Sequence, residues 1–329
     1  MMNIVRIGTV VVIGAVALTS CACKKNSEST DRKETTRIEA GSQPGVSGNY
    51  VTPDYEMRGE GYDWVAVSVK QLSADVIWLS VRSRADRKKP TCTFDTKAYR
   101  TNDSTFSTVA EGKTVIIKFG AESVTIATER PEDEAALYFF CSGGATVAGT
   151  YKKMDGPLDV TQVDKTTFSK ILRLQGIGFH VTSKPKAGKE ELEIYPFGLS
   201  VDNRSITQLI DGSVADAEIE DLNSDGFPEV VVYTQSGENK KGSVVGCSVN
   251  NGKSMSSVHF PSVAENEKIG SGYNGYDEFS VVETYLSQRF PIFENGKETG
   301  RMRQITYKLV EGEASRRFVV ANINEYDKN

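Results

Sequence analysis

Apolar and polar residues alternate in short runs along most of this chain, with the two-residue period of half-buried strands. Trp64–Val69, Val76–Val81, Thr114–Phe119 and Ser123–Ala127 read this way, and turn residues at Asn102-Asp103, Glu111-Gly112 and Phe119-Gly120 punctuate them. The pattern predicts an antiparallel meander, a small barrel or a sandwich. Gly48-Asn49-Tyr50 and Gly149-Thr150-Tyr151 echo each other at its two ends, as first and last strands that meet would. A Pro- and Gly-containing junction follows at Lys152–Thr161, and then Phe168, Ile171, Leu172 and Leu174 mark an amphipathic segment or strand. Further strand-like runs lie at Gly178–Val181, Leu192–Tyr195, Glu229–Tyr233, Val244-Val245, Phe279–Glu283, Arg303–Leu309 and Phe318–Ile323. Helical periodicity is almost absent. The expectation is a mainly β protein with two antiparallel β-rich domains, residues 48–155 and 156–329.

The first residues follow another pattern. Arg6 precedes the apolar run Ile7–Leu18, which is shorter than the roughly 20 residues a membrane-spanning helix needs. The run ends in Leu18-Thr19-Ser20-Cys21, which resembles a bacterial lipoprotein signal. That resemblance implies removal of residues 1–20 and acylation of Cys21, so that fatty chains moor the protein to a membrane of the cell envelope, facing periplasm or cell surface. Residues 21–47, rich in Ser, Thr, Lys, Glu and Gly, then read as a disordered tether.

Charge narrows the function classes. The formal net charge is −5, one unit more negative once Arg6 is removed, which disfavours a nucleic-acid partner gripped through phosphates. Of five cysteines, Cys21 carries the expected lipid and Cys23 lies in the polar tail. Cys92 and Cys141 share the N-terminal β region and are the natural disulfide pair in an oxidising compartment, leaving Cys247 as a small buried hydrophobe. His180 and His259 both sit in strand-like runs without a neighbouring nucleophile motif. The acidic groups Asp277-Glu278 and Glu132-Asp133-Glu134 read as loop charges, and no Walker loop, Rossmann glycine run or zinc signature occurs. The chain is therefore expected not to be an enzyme.

One string resembles a metal loop. Asp221, Asn223 and Asp225, with Gly226 at the sixth place, have the oxygen spacing with which a loop wraps calcium. The twelfth place is Val232 where an EF-hand carries Glu, and strands flank it, so it is no EF-hand. Two readings stay open: a bound calcium ion, or a hairpin turn in which Asp and Asn cap backbone amides.

The C-terminal half resembles a family. Ala217–Glu229, Asn250–Ser254, Gly272–Phe279, Arg289–Ile292 and Arg303–Val310 together are similar, in order and spacing, to the periplasmic inhibitor of invertebrate-type (I-type) lysozyme, across roughly Leu158 to Tyr326. The resemblance implies a β-sandwich that binds lysozyme and fills its cleft without chemistry of its own. In that family an inhibitory loop with a Ser-Gly-x-Tyr motif follows the strand after the Asp-Asn-Asp-Gly turn. Here the stretch is Ser236, Gly237, Glu238, Asn239, Lys240 and Lys241: no tyrosine follows, and two lysines stand near its place. Tyr273 and Tyr276, in a Gly-rich loop, form a second candidate contact surface. The alternative is a scaffold that binds glycan or another protein, and a homodimer is also left open.

Overall fold

The structure is a computed structural model that describes residues 45–264 and 266–328. Cys21, the signal and most of the tether lie outside the described residues. No described helix is long and apolar enough to cross a membrane.

Ten strands build the N-terminal part: β1 (Gly48–Val51), β2 (Ala66–Gln71), β3 (Val76–Arg82), β4 (Thr91–Cys92), β5 (Phe94–Asn102), β6 (Thr105–Ala110), β7 (Lys113–Phe119), β8 (Ser123–Thr128), β9 (Cys141–Ser142) and β10 (Gly149–Met154). Eight of them close a barrel in the order β1-β10-β8-β7-β6-β5-β3-β2, so the strands that the two echoing segments open do meet, with Tyr50 opposite Lys153. The echo extends to backbone and hydrogen bonding. Gly48 and Gly149 adopt φ of 146° and 150°, open to glycine, and the hydroxyls of Tyr50 and Tyr151 each donate to the carbonyl four residues upstream, at 2.9 and 2.8 Å. Val67, Ile77, Leu79, Phe106 and Ile117 are fully buried in the barrel's apolar core, as expected of eight strands, whose bore is just wide enough for side chains. β4 and β9 form a separate ribbon, in which Cys92 and Cys141 are register partners and disulfide-bonded. The loop they close, a sequence separation of 49, is worth about 4 kcal/mol in the chain-entropy model.

β5 and β6 escaped the sequence pattern. Asp95, Thr96, Lys97, Arg100 and Thr101 make β5 too polar to show the usual alternation, because its outward face is itself partly covered. Ser169 of the C-terminal half donates its backbone N–H to Asp95 there.

The C-terminal half is three successive four-stranded antiparallel meanders. They are β11 (Phe168–Leu174), β12 (Ile177–Lys186), β13 (Lys189–Phe197) and β14 (Ile206–Ile210); β15 (Ser213–Glu220), β16 (Glu229–Ser236), β17 (Lys241–Asn250) and β18 (Ser254–Val258); and β19 (Glu278–Val282), β20 (Tyr285–Glu294), β21 (Lys297–Val310) and β22 (Arg317–Asp327). The middle sheet buries both faces. Val230, Val232 and Cys247 pack with Phe179, Val181 and Ile194 of the first sheet, while Val231, Tyr233 and Val244 pack with Leu286, Ile305 and Tyr307 of the third. This two-sided burial is why β16 reads as an unbroken apolar run, Val230-Val231-Val232-Tyr233. Trp78 of the barrel stacks on Phe168 at 6.0 Å, which docks the barrel onto the first sheet.

Candidate functional site

The β16–β17 hairpin pairs Ser236 with Lys241 and turns through Gly237, Glu238, Asn239 and Lys240. Gly237 and Lys240 take the left-handed conformation (φ 68° and 47°), and the Lys240 N–H closes on the Gly237 carbonyl at 3.2 Å. Gly237, Glu238, Lys240 and Lys241 are exposed, while Ser236 and Asn239 are half-buried.

The Gly-rich loop Gly272–Asp277 sits against this tip, so two surfaces that the sequence left separate form one. Tyr276 donates its N–H to the Asn239 carbonyl at 2.6 Å and its hydroxyl to Asn239 Oδ1 at 3.1 Å. Asn239 Nδ2 in turn donates to Asn274 Oδ1 at 3.1 Å. The approach requires glycine: a Cβ on Gly275, whose φ is 91°, would fall 2.3 Å from the Asn239 carbonyl oxygen. Asp277 accepts the Gly242 N–H at 2.6 Å, the Tyr273 hydroxyl at 2.6 Å and Gln288 Nε2 at 2.7 Å. Asp277, read from sequence as a loop charge, is thus a half-buried hub, and burial pushes its carboxyl above the usual range.

The two tyrosines differ. Tyr273 lays its ring edge-on to Phe290 at 4.8 Å and gives its hydroxyl to Asp277, so it braces the loop. Tyr276 is 42% exposed, stacks on Phe293 at 5.9 Å, and has a φ of 61°. A bulky residue in that region is strained, and such strain gathers at functional positions.

The calcium-like string forms a capped turn. Asp221 accepts the N–H groups of Asp225 and Gly226, Asn223 Oδ1 accepts that of Asp225, and Asp225 Oδ1 accepts that of Phe227. Arg316 Nη2 holds Asp225 Oδ2 at 2.9 Å. Among the described residues no group of three or more His, Cys, Asp or Glu is placed to hold a metal ion.

Beside that turn Glu229 is 1% exposed, bonded by Ser248 Oγ and the Leu222 N–H, with Arg316 at 3.9 Å. Burial outweighs these bonds and raises its pKa from 4.5 to about 7. Because the folded state holds this proton more tightly than the unfolded chain, the contribution is greatest below pH 4.5 and is lost as pH rises to about 7. Glu229→Gln is expected to remove a pH-dependent stability loss of about 3 kcal/mol across that window. Urea unfolding of both proteins at several pH values reads this; parallel curves would refute it.

One pair lay beyond the reach of sequence. Across β11–β12, Ser169 Oγ stands 2.9 Å from His180 Nε2. Ser169 is only 3% exposed, which closes its hydroxyl to a substrate, and burial lowers the pKa of the half-buried His180. No protein-family model matches this chain, and no curated protein matches its sequence.

Proposed function

We propose that the protein is an envelope lipoprotein that inhibits a lysozyme of the invertebrate type by pressing the hairpin tip and the Gly-rich loop into its active-site cleft. The carrying observation is Tyr276, exposed in a left-handed backbone conformation and hydrogen-bonded to the tip residue Asn239. It supplies, from a neighbouring loop, the aromatic anchor that the tip itself lacks.

The chemistry of the target favours this surface. Lysozyme cleaves with two carboxyl groups in a cleft. Lys240 and Lys241 would bring ammonium groups to them, and Tyr276 would add rigid contact area with a polar end. Desolvation offsets part of the charge attraction, so the tyrosine carries more of the affinity than the lysines. The Cys92–Cys141 disulfide agrees with an oxidising compartment outside the cytoplasm. Lipid on Cys21 would keep the inhibitor beside the peptidoglycan it protects.

The test uses the full chain in detergent, titrated into invertebrate-type, vertebrate and phage lysozymes. Turnover of the invertebrate-type enzyme is expected to fall in proportion to molar ratio. Full turnover of all three at a several-fold excess would reject the proposal.

A further inference from the structure

Two hollows, of about 680 and 510 Å³, lie between the barrel and the C-terminal sheets, and Lys97, Tyr99 and Asp216 line both. They therefore form one cleft, of the size of small-molecule sites and in the place such sites favour, where two structural units face each other.

Its floor is an ion cluster assembled from three elements. Strand register slips between Val214 and Asp216, leaving Ala215 as an extra residue in β15. A bulge of this kind bends a strand and re-aims the next side chain. The Asp216 carboxylate, 13% exposed, takes Lys97 Nζ of β5 on one oxygen at 2.7 Å and Lys170 Nζ of β11 on the other at 2.8 Å. Those two ammonium groups hold Asp216 well ionised, its pKa below the usual carboxylate range despite burial. Glu218 lines the same wall, its Oε2 held by the Tyr233 hydroxyl and the Val281 N–H, and its charge offsets that of the second lysine, while Glu278 and Arg289, further along the lining, pair with each other. The cluster is thus close to neutral, yet an ammonium carries three protons, of which Lys97 gives one to Asp216.

The rest of the lining is of two kinds. Thr108, Thr114 and Thr234 contribute hydroxyl-bearing side chains. Leu72, Tyr99 and Val109 contribute apolar surface and are 47%, 58% and 69% exposed, although each is a large hydrophobic side chain. These side chains leave apolar surface at the cleft for a ligand to cover.

We infer that this cleft binds a neutral saccharide. Every sugar hydroxyl both donates and accepts, and here fixed ammonium donors and carboxylate acceptors stand side by side with their charges already balanced. The Tyr99 ring offers a flat apolar face to the C–H side of a pyranose. An apolar ligand would cover ammonium protons that Asp216 does not take and leave them without an acceptor, and an anionic one would meet Asp216 and Glu218. The cleft reaches as far as Asp277, which also braces the Gly-rich loop, but Tyr276, Lys240 and Lys241 do not line it, and the inference does not rest on lysozyme binding.

Calorimetry of the full chain, in a detergent without sugar headgroups, tests it with cellotetraose, chitotetraose and maltotetraose as neutral probes and tetragalacturonate as the acidic one. At least one neutral probe is expected to bind with a Kd of about 0.1–1 mM. The Kd should be indifferent to a tenfold rise in salt. Tyr99→Ala and Lys97→Met, checked by thermal unfolding, should each weaken it about tenfold or more, while Val160→Ala, at an exposed residue outside both the cleft and the tip, leaves it unchanged. Silence from all neutral probes, binding confined to tetragalacturonate, or unaltered affinity in both cleft variants would overturn the inference.

Discussion

Asp95→Ala is expected to destabilise the folded protein by about 3–5 kcal/mol, the usual consequence of stranding one half of a buried ion pair. The Asp95 side chain has no exposure and that of Arg82 has 8%, and they meet as a two-pronged fork at 2.9 and 2.6 Å. Arg82 Nε also donates to the Thr166 carbonyl at 2.7 Å, and Asp95 accepts the Ser169 N–H at 2.6 Å. The pair therefore fastens β3 and β5 of the barrel to the entry of β11. Removing the carboxylate leaves a guanidinium in the interior without its counter-charge. Replacing both partners by leucine removes that charge as well and is expected to lose less than the single variant. Urea unfolding compares the two, and a loss under about 1 kcal/mol for Asp95→Ala would contradict the assignment.

Tyr276→Gly is expected to weaken the proposed lysozyme inhibition about thirtyfold or more while leaving stability within about 1 kcal/mol of the parent. The first figure is that of an aromatic anchor lost from the centre of an interface, about 2 kcal/mol or more. The second follows from φ: at 61° glycine is relaxed where tyrosine is strained by roughly 1–2 kcal/mol, which offsets the lost stacking on Phe293. A merely structural tyrosine would behave in the opposite way, with stability falling and inhibition following it. Parallel measurement of inhibition and unfolding separates the two outcomes. Lys240→Ala with Lys241→Ala should have the smaller effect, because exposed ammonium groups gain little until water is excluded.

What the sequence revealed depended on how local the controlling physics was. Barrel closure was legible because both ends repeat a Gly-x-Tyr corner, and the disulfide because only Cys92 and Cys141 share one β region. The run at β16 signalled burial, but alternation cannot say that one face meets the first sheet and the other the third. The tip lay further out of reach. Tyr276 and Asn239 are 37 residues apart, and their hydrogen bonds exist only once β16, β17 and the Gly-rich loop are assembled. Asp216 was hidden for a related reason: without the extra Ala215 its side chain would leave the cleft, and no periodicity marks a bulge in advance.

The middle sheet's two apolar faces also set the order in which the protein can be finished. Until β19–β22 arrive, Val231, Tyr233 and Val244 have no cover on that side. A nascent chain is thus committed to stickiness until its final strands are in place. Any premature stop before Glu278 would produce aggregate or a chaperone client rather than a smaller working molecule.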